Sequence, residues 1–243
     1  RLVGSEMCIR DRYEDPENHK AYALRAAWLD YGSAPYLASL RMDQARTWEE
    51  FREACEYSRI PSENMVWADR EKNIGYQAVG VSPIRPRHSG LVPVPGDGRY
   101  EGDGYLPIQA LPNVTNPEKG YYGTANNYTV PDGYEFWDAL HYTWGDQMRA
   151  ARVEEMLDAG RHMTVADMMQ FQHDELTVVG RNIVPLLREV RIDDPEVAAL
   201  RDRLMDWDYV LDKDSVEAAI YVSFERRLRN NVREIVVPDE ARD

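Results

Sequence analysis

An α+β chain is predicted by two patterns that occupy different halves of the sequence. In the first half, NMVWADREKNIGYQAVG (residues 64–80) reads as two strands around the polar break Asp69-Arg70-Glu71-Lys72-Asn73. Its Ile74, Tyr76 and Ala78 alternate with Gly75, Gln77 and Val79, the period of two expected of a sheet. In the second half, apolar residues recur every three or four positions in successive segments, as in helices packed by one face. At 243 residues and 43% hydrophobic, the chain can bury a real core, as one large domain or one and a half.

Taken in order, the first dozen residues, RLVGSEMCIRDR, carry no periodic pattern. Residues 1–12 are therefore read as a non-native, adapter- or vector-derived segment, with the natural frame beginning near Tyr13. Residues 22–29 (YALRAAWL) are apolar without a clear period, a buried strand or a helix start. Residues 34–57 read as helical, with Pro35 suited to a first turn and Trp48, Phe51 and Cys55 on one stripe. Cys55 on that stripe is a small buried hydrophobe, since no basic neighbour is in sight to activate it. Residues 81–117 are dense in proline and glycine, and so long an irregular stretch points to a functional loop. Its GDGRYEGDGY fits neither an EF-hand loop nor a GxGxxG turn and reads as surface turns.

Residues 121–125 (YYGTA) read as a short strand that stops at Asn126-Asn127. Such a pair either caps a turn or aims an amide N–H at one point in a cleft, as acyl transfer requires. A helix is then expected over residues 136–157, with Phe136, Leu140, Trp144 and Met148 on its stripe and Gly160 as its stop. On a continuous helix Asp138 and Arg149 would share a face about 16 Å apart. Thr164 with Asp167 resembles a capped start for a segment through Ile183, with Met168 and Met169 as core filler. Asp194-Pro195 opens the next helix, expected to bury Val197, Leu200, Leu204 and Trp207. The last starts near Asp214-Ser215 with Val216, Ile220, Phe224 and Leu228, and residues 234–237 read as a strand. By domain, residues 13–190 are expected to form the core and 191–243 a truncated helical extension.

Several chemistries are set aside by composition. A net charge of −14 without a Lys/Arg cluster argues against nucleic acid as partner, and no apolar run is long enough for a membrane. Two cysteines support neither a disulfide framework nor a zinc knuckle, and the five histidines lack HExxH spacing. There is no GxSxG elbow, and no carboxylate pair stands out for glycoside hydrolysis. What remains is Asn126-Asn127, a helix bearing Asp138 and Arg149, and a Pro/Gly-rich loop. That set can polarise a carbonyl but brings no nucleophile, which is half of an acyl-transfer site.

Residues 64–127 strongly resemble the β-chain of the penicillin acylase family, amidohydrolases of the N-terminal-nucleophile class. The likeness rests on Asn64, Ala68-Asp69, Asn73-Ile74-Gly75-Tyr76, Pro83, Arg85, Pro93-Val94-Pro95-Gly96, Leu111-Pro112, Asn116-Pro117, Gly120 and Asn126-Asn127, in order and spacing. It continues through TWGDQMRAARVEEML, the Asp174 segment and WDYVLDKDS, more weakly after Pro185.

The resemblance implies part of an αββα sandwich with added helices. It also implies a serine nucleophile at a processed β-chain N-terminus, whose α-amine acts as general base through a water. Asn126 would be the side-chain oxyanion donor, Asn127 its structural neighbour, and Arg149 the residue holding the asparagine in place. Asp138 would be one carboxylate of a structural calcium site that also takes a carbonyl near Gly90; read from its position alone, it is equally a first-turn carboxylate favoured by the helix dipole. The family's other calcium carboxylates lie upstream. The implied substrate is a small-molecule acyl amide, with penicillins, acyl-homoserine lactones and acylated peptides all open. The implied partners are the α-chain and the N-terminal part of the β-chain, and the implied compartment is periplasmic or extracellular.

The chain departs from the pattern at three points. Arg1 is first, and Ser5, Ser33 and Ser39 lie in the wrong context, so the nucleophile is expected upstream of Tyr13. The turn Arg70-Glu71-Lys72 is longer than the family's, and Glu63 falls beside the family's acyl pocket. A non-catalytic, acidic, calcium-binding interaction module on the same scaffold is the alternative.

Overall fold

The structure, a computed structural model, describes residues 11–30, 32–159 and 162–241. Contacts divide the chain into two compact units, Arg1–Gly145 and Asp146–Asp243. That division falls elsewhere than the boundary expected near residue 190. The segment 1–12 lies almost wholly outside the described residues.

In the first unit a hairpin of β1 (Asp11–Asp15) and β2 (Lys20–Leu24) precedes a three-stranded antiparallel sheet of β3 (Glu63–Ala68), β4 (Ile74–Val79) and β7 (Asn113–Thr115), in the order β3-β4-β7. Between them β5 (Ser82–Pro83) pairs with β6 (Tyr105–Leu106). The two strands around the polar break form as expected, with Val66 opposite Tyr76 and Val114 on the other side of Tyr76. The turn is closed by Asp69, whose carboxylate accepts the Asn73 N–H and its Nδ2, both at 2.8 Å, while Lys72 takes φ +70°. These bonds hold the Asp69 carboxyl below its ordinary pKa.

The helical reading of residues 34–57 resolves into α1 (Ser39–Met42) and α2 (Trp48–Cys55), because Thr47 caps α2 by accepting the Glu50 N–H at 3.2 Å. Trp48, Phe51 and Cys55 are buried as the stripe predicts, Ala54 is buried with them, and burial pushes the Cys55 thiol up to about 12. Strand β4 is covered on both faces, which is why Tyr76, Gln77 and Val79 are all buried. A Cβ on Gly75 would lie 2.6 Å from the Trp48 ring, and Arg52 Nε donates to Gln77 Oε1 at 3.0 Å. The odd-numbered face of β4 therefore meets α2.

Residues 22–29 differ from expectation. Their first three residues end β2, which is exposed along its length, and a 3-10 turn (Ala27–Leu29) follows with Trp28 and Leu29 about half exposed. Among the described residues no second layer covers this two-stranded ribbon, and its apolar residues stay at the surface.

The continuous helix over 136–157 does not form. A 3-10 turn (Trp137–Ala139) is followed by irregular chain, and α3 (Gln147–Ala159) starts only after Gly145, with Asp146 accepting the Met148 N–H at 2.6 Å. Leu140 is buried and Phe136 and Trp144 pack on the first unit's core, whereas Met148 belongs to the second unit. The expected stop at Gly160 lies outside the described residues.

The second unit continues with α4 (Val165–Phe171), α5 (Val178–Ile183), a 3-10 turn (Val184–Glu189), α6 (Pro195–Met205) and α7 (Val216–Val236). The Thr164–Asp167 capping box is present in both directions. Asp194 accepts the Glu196 N–H at 2.8 Å, and Ser215 the Ala218 N–H at 3.1 Å, so both later helices start where their caps predict. Its core is Val184, Leu204, Trp207, Ala218 and Tyr221.

Three expectations fail in this unit. Met169 is 61% exposed and Met168 37%, so the pair is not core filler: the segment breaks after Phe171, and Thr177 caps a separate α5. Val197 and Leu200 are nearly half exposed, leaving Leu204 and Trp207 to anchor α6. Residues 234–236 extend α7 instead of forming a strand, with Ile235 84% exposed.

Helix α3 is stitched to its neighbours by ions. Arg152 donates to both Asp174 oxygens at 2.8 and 2.6 Å, and Arg181 to both Glu155 oxygens at 2.9 Å. The Arg181 guanidinium holds the Glu155 carboxyl down to about 2, and Arg152 lowers Asp174. Depressed carboxyl pKa values stabilise the fold above the unfolded pKa and lose that effect as pH falls through the folded one. Because these groups are partly exposed, the contribution is small. The destabilisation caused by Arg152→Ala is therefore expected to shrink between about pH 5 and pH 2. Urea unfolding of both proteins across that range checks it, and an equal difference at pH 7 and pH 2 would deny the linkage.

Candidate functional site

The Asn126 segment is not the end of a strand. Residues 121–130 are irregular, and their shape comes from side chains. Asn127 holds the turn from inside: its Oδ1 accepts the Ala125 N–H at 2.9 Å and the Thr124 hydroxyl at 3.3 Å, and its Nδ2 donates to the Tyr128 carbonyl at 3.2 Å. Asn126 is exposed and takes φ +63°, a left-handed conformation that asparagine tolerates better than most residues. Its carbonyl accepts the Gly145 N–H at 2.7 Å. Glycine is required for that approach, since a Cβ on residue 145 would lie 2.8 Å from the Asn126 oxygen.

Both flanks of Asn126 are anchored on β4. Tyr122 stacks on Tyr76 with ring centres 4.1 Å apart, and the Thr129 hydroxyl lies 3.2 Å from the Tyr76 hydroxyl. Tyr128 meets the Trp144 ring edge-on at 4.8 Å. The segment is thus an exposed asparagine on a heavily tethered loop, a form suited to presenting a fixed donor.

Arg149 lies in the first turn of α3, exposed, in the second unit, and does not share a unit with Asn126. Asp138 sits in the 3-10 turn Trp137–Ala139 of the first unit, so the common helix face expected for Asp138 and Arg149 does not exist. Two surface cavities, of about 530 and 410 Å³, are lined wholly by second-unit residues, and Asn126 lines neither.

A family model for penicillin amidase matches residues 6–241. The chain belongs to the penicillin amidase family. The match starts inside the twelve residues read above as non-native. The chain is 32% identical over 213 residues to the acyl-homoserine lactone acylase QuiP of Pseudomonas aeruginosa, covering 82% of this chain and 24% of that protein. It is 31% identical over 151 residues to the penicillin G acylase of Escherichia coli, covering 62% of this chain and 18% of that one. The solved thermostable penicillin G acylase of Alcaligenes faecalis superposes with a TM-score of 0.73 at 26% identity, over 94% of this chain and 43% of its own. The fold is therefore the α+β fold of the N-terminal-nucleophile hydrolases. The chain spans about a quarter of the length of the curated relatives it matches.

Membership in this family makes the calcium expectation testable on the residues present. Calcium takes six to eight oxygen ligands. Among the described residues no three His, Cys, Asp or Glu side chains gather to hold a metal. The backbone around Asp138 is held by Arg85: the Asp138 carbonyl accepts the Arg85 N–H at 2.8 Å, Arg85 Nη2 donates to the Leu140 carbonyl at 2.7 Å, and a Cβ on Gly90 would lie 3.2 Å from Arg85 Nε. Arg85 Nε is buried and has no hydrogen-bond partner, and such a donor calls for an oxygen acceptor rather than a metal ion. The described residues do not fit a calcium site by themselves, and among them Asp138 would supply at most one carboxylate ligand. Millimolar calcium and EDTA are accordingly expected to leave the thermal midpoint of this chain within about 1 °C. A shift of several degrees in differential scanning calorimetry would establish a site these residues complete.

The sequence singles out Asn126 from a strand end that does not form and from the resemblance, and gives no sign of the residues that shape its segment. In the sequence Tyr76 is one member of a strand alternation and of the motif Asn73-Ile74-Gly75-Tyr76, and Gly145 is part of an expected helix and of the run TWGDQMRAARVEEML. Nothing local marks either as a partner of residues 122–129.

Proposed function

We propose that this chain is part of an acylase that hydrolyses the amide of an acylated small molecule. The observation that carries the proposal is the family match over residues 6–241, with Asn126 held on a tethered loop at the position the resemblance assigns to the oxyanion donor. The serine nucleophile is taken to come from a segment outside this chain. Its hydroxyl oxygen attacks the amide carbonyl carbon while its α-amine, near pKa 8, takes the proton through a water. The carbonyl oxygen gains the negative charge, and the Asn126 Nδ2 donates to it. On collapse the α-ammonium returns that proton to the amide nitrogen, the amine leaves, and the acyl group stays as an ester on the serine, which water then hydrolyses to the acid.

Arg149 keeps in this reading the role the resemblance implies for it, and Glu63 at the start of β3 borders the acyl group. Acyl-homoserine lactones and penicillins, named for the relatives, are the substrate classes to try first. A periplasmic or extracellular location and association with the α-chain belong to the same proposal. The alternative of an acidic calcium-binding module draws no support from the donors around Asp138.

The test is amine release from a chromogenic phenylacetyl amide and from a long-chain acyl-homoserine lactone. Full-length, processed protein is expected to turn over at least one of them, and the chain alone neither. A processed protein inert to both would end the proposal.

A further inference from the structure

We infer that Tyr76 is a positioning residue for Asn126, fixing the oxyanion donor from inside the sheet; the inference rests on the acylase reading above. Tyr76 lies in the middle of β4, 1% exposed, with a strand paired on each side, so its backbone is held by the sheet. Its side chain leaves the face opposite α2 and meets the Asn126 segment at two places.

The first place is the ring. It stacks on Tyr122 at 4.1 Å and an interplanar angle of 17°, four residues before Asn126. The second is the hydroxyl. It donates to Asn64 Oδ1 at 2.6 Å and lies 3.2 Å from Thr129 Oγ1, three residues after Asn126. A phenol has one proton. With that proton on Asn64, the Thr129 hydroxyl must donate to the phenol oxygen, so the direction of the whole chain Thr129–Tyr76–Asn64 is fixed.

One rigid side chain therefore holds residues 122 and 129, and Asn126 lies between the two anchors. Burial raises the Tyr76 phenol above its ordinary pKa, so the network keeps its proton throughout the neutral range. The Gly145 N–H fixes the Asn126 carbonyl, and Asn127 closes the turn between the anchors. Small displacements of a positioned group are costly in catalysis, about 10²-fold for an ångström.

The test uses the full-length, processed acylase, with active sites counted by an irreversible acylating reagent. Tyr76→Phe keeps the ring on Tyr122 and removes both hydroxyl bonds. Thr129→Val removes only the donor, and it lies outside the sheet, so its result does not depend on the stability of β4. Each is expected to lower kcat per active site by about 3- to 10-fold, as loss of a hydrogen bond does, with KM within about twofold. In an Asn126→Ala background neither should lower kcat further, because the group they position is gone.

A full additional loss in that background, or unchanged kcat in both single variants, overturns the inference alone. Near-wild-type turnover in Asn126→Ala itself overturns the acylase reading of that residue and the inference with it.

Discussion

Asn126→Ala in the full-length protein is expected to lower kcat by about 10²–10³-fold, the effect of removing one oxyanion donor. The loss should appear equally in kcat and kcat/KM, because the hydrogen bond forms to charge that develops only in the transition state. The backbone complicates the experiment in a way the structure resolves. Residue 126 takes φ +63°, where alanine is strained by roughly 1–2 kcal/mol. Asn126→Gly adopts that conformation freely and also lacks the amide. If the amide matters, alanine and glycine lose activity alike. If only the loop's shape matters, glycine retains most of the turnover, and Asn126 would lose its chemical role.

The second large effect is on stability. Trp48→Ala is expected to cost about 3–5 kcal/mol, as removal of a buried aromatic does. That is a large part of the 5–15 kcal/mol typical of a domain. Trp48 stacks on Phe51 at 5.9 Å and lies across Gly75, where a Cβ would be 2.6 Å from its ring. Gly75→Ala alone should cost about 1–3 kcal/mol, because β4 cannot move away from α2 without breaking its pairing with β3 and β7. The two changes should not add. With the indole gone, the methyl enters the space it left, and Gly75→Ala becomes nearly neutral in a Trp48→Ala background. Denaturant unfolding of the four proteins measures the cycle, and strict additivity would show that Gly75 is kept small for some other reason.

The parts legible in the sequence are those decided by neighbours in the chain. The β3–β4 hairpin is written in its alternation and in Asp69 and Asn73. The starts of α4, α6 and α7 are written in Thr164, Asp194 and Ser215, each of which bonds an amide within three residues. Where a distant contact decides, the reading fails. Phe136, Leu140, Trp144 and Met148 carry helical spacing, yet the Gly145 N–H is taken by the Asn126 carbonyl, and α3 begins only beyond it. Residues 121–125 have strand-like composition, but Tyr122 is claimed by a ring of β4 and Asn127 folds the chain into a turn. Met168 and Met169 were assigned to a core their short helix does not reach. The candidate site follows the same rule. Asn126 stands out within its own segment, whereas the link of its two flanks to Tyr76, some fifty residues away in sequence, leaves no local mark.

Cys55 has a practical consequence. With no exposed surface and a thiol pushed up to about 12, it presents almost no thiolate to solvent in the native state. Alkylation of that sulfur therefore requires the packing of α2 to open, and its rate becomes a clock for breathing of the first unit. Peptide mass mapping would read that clock separately from any modification at Cys8, without adding a dye or a tag to the protein.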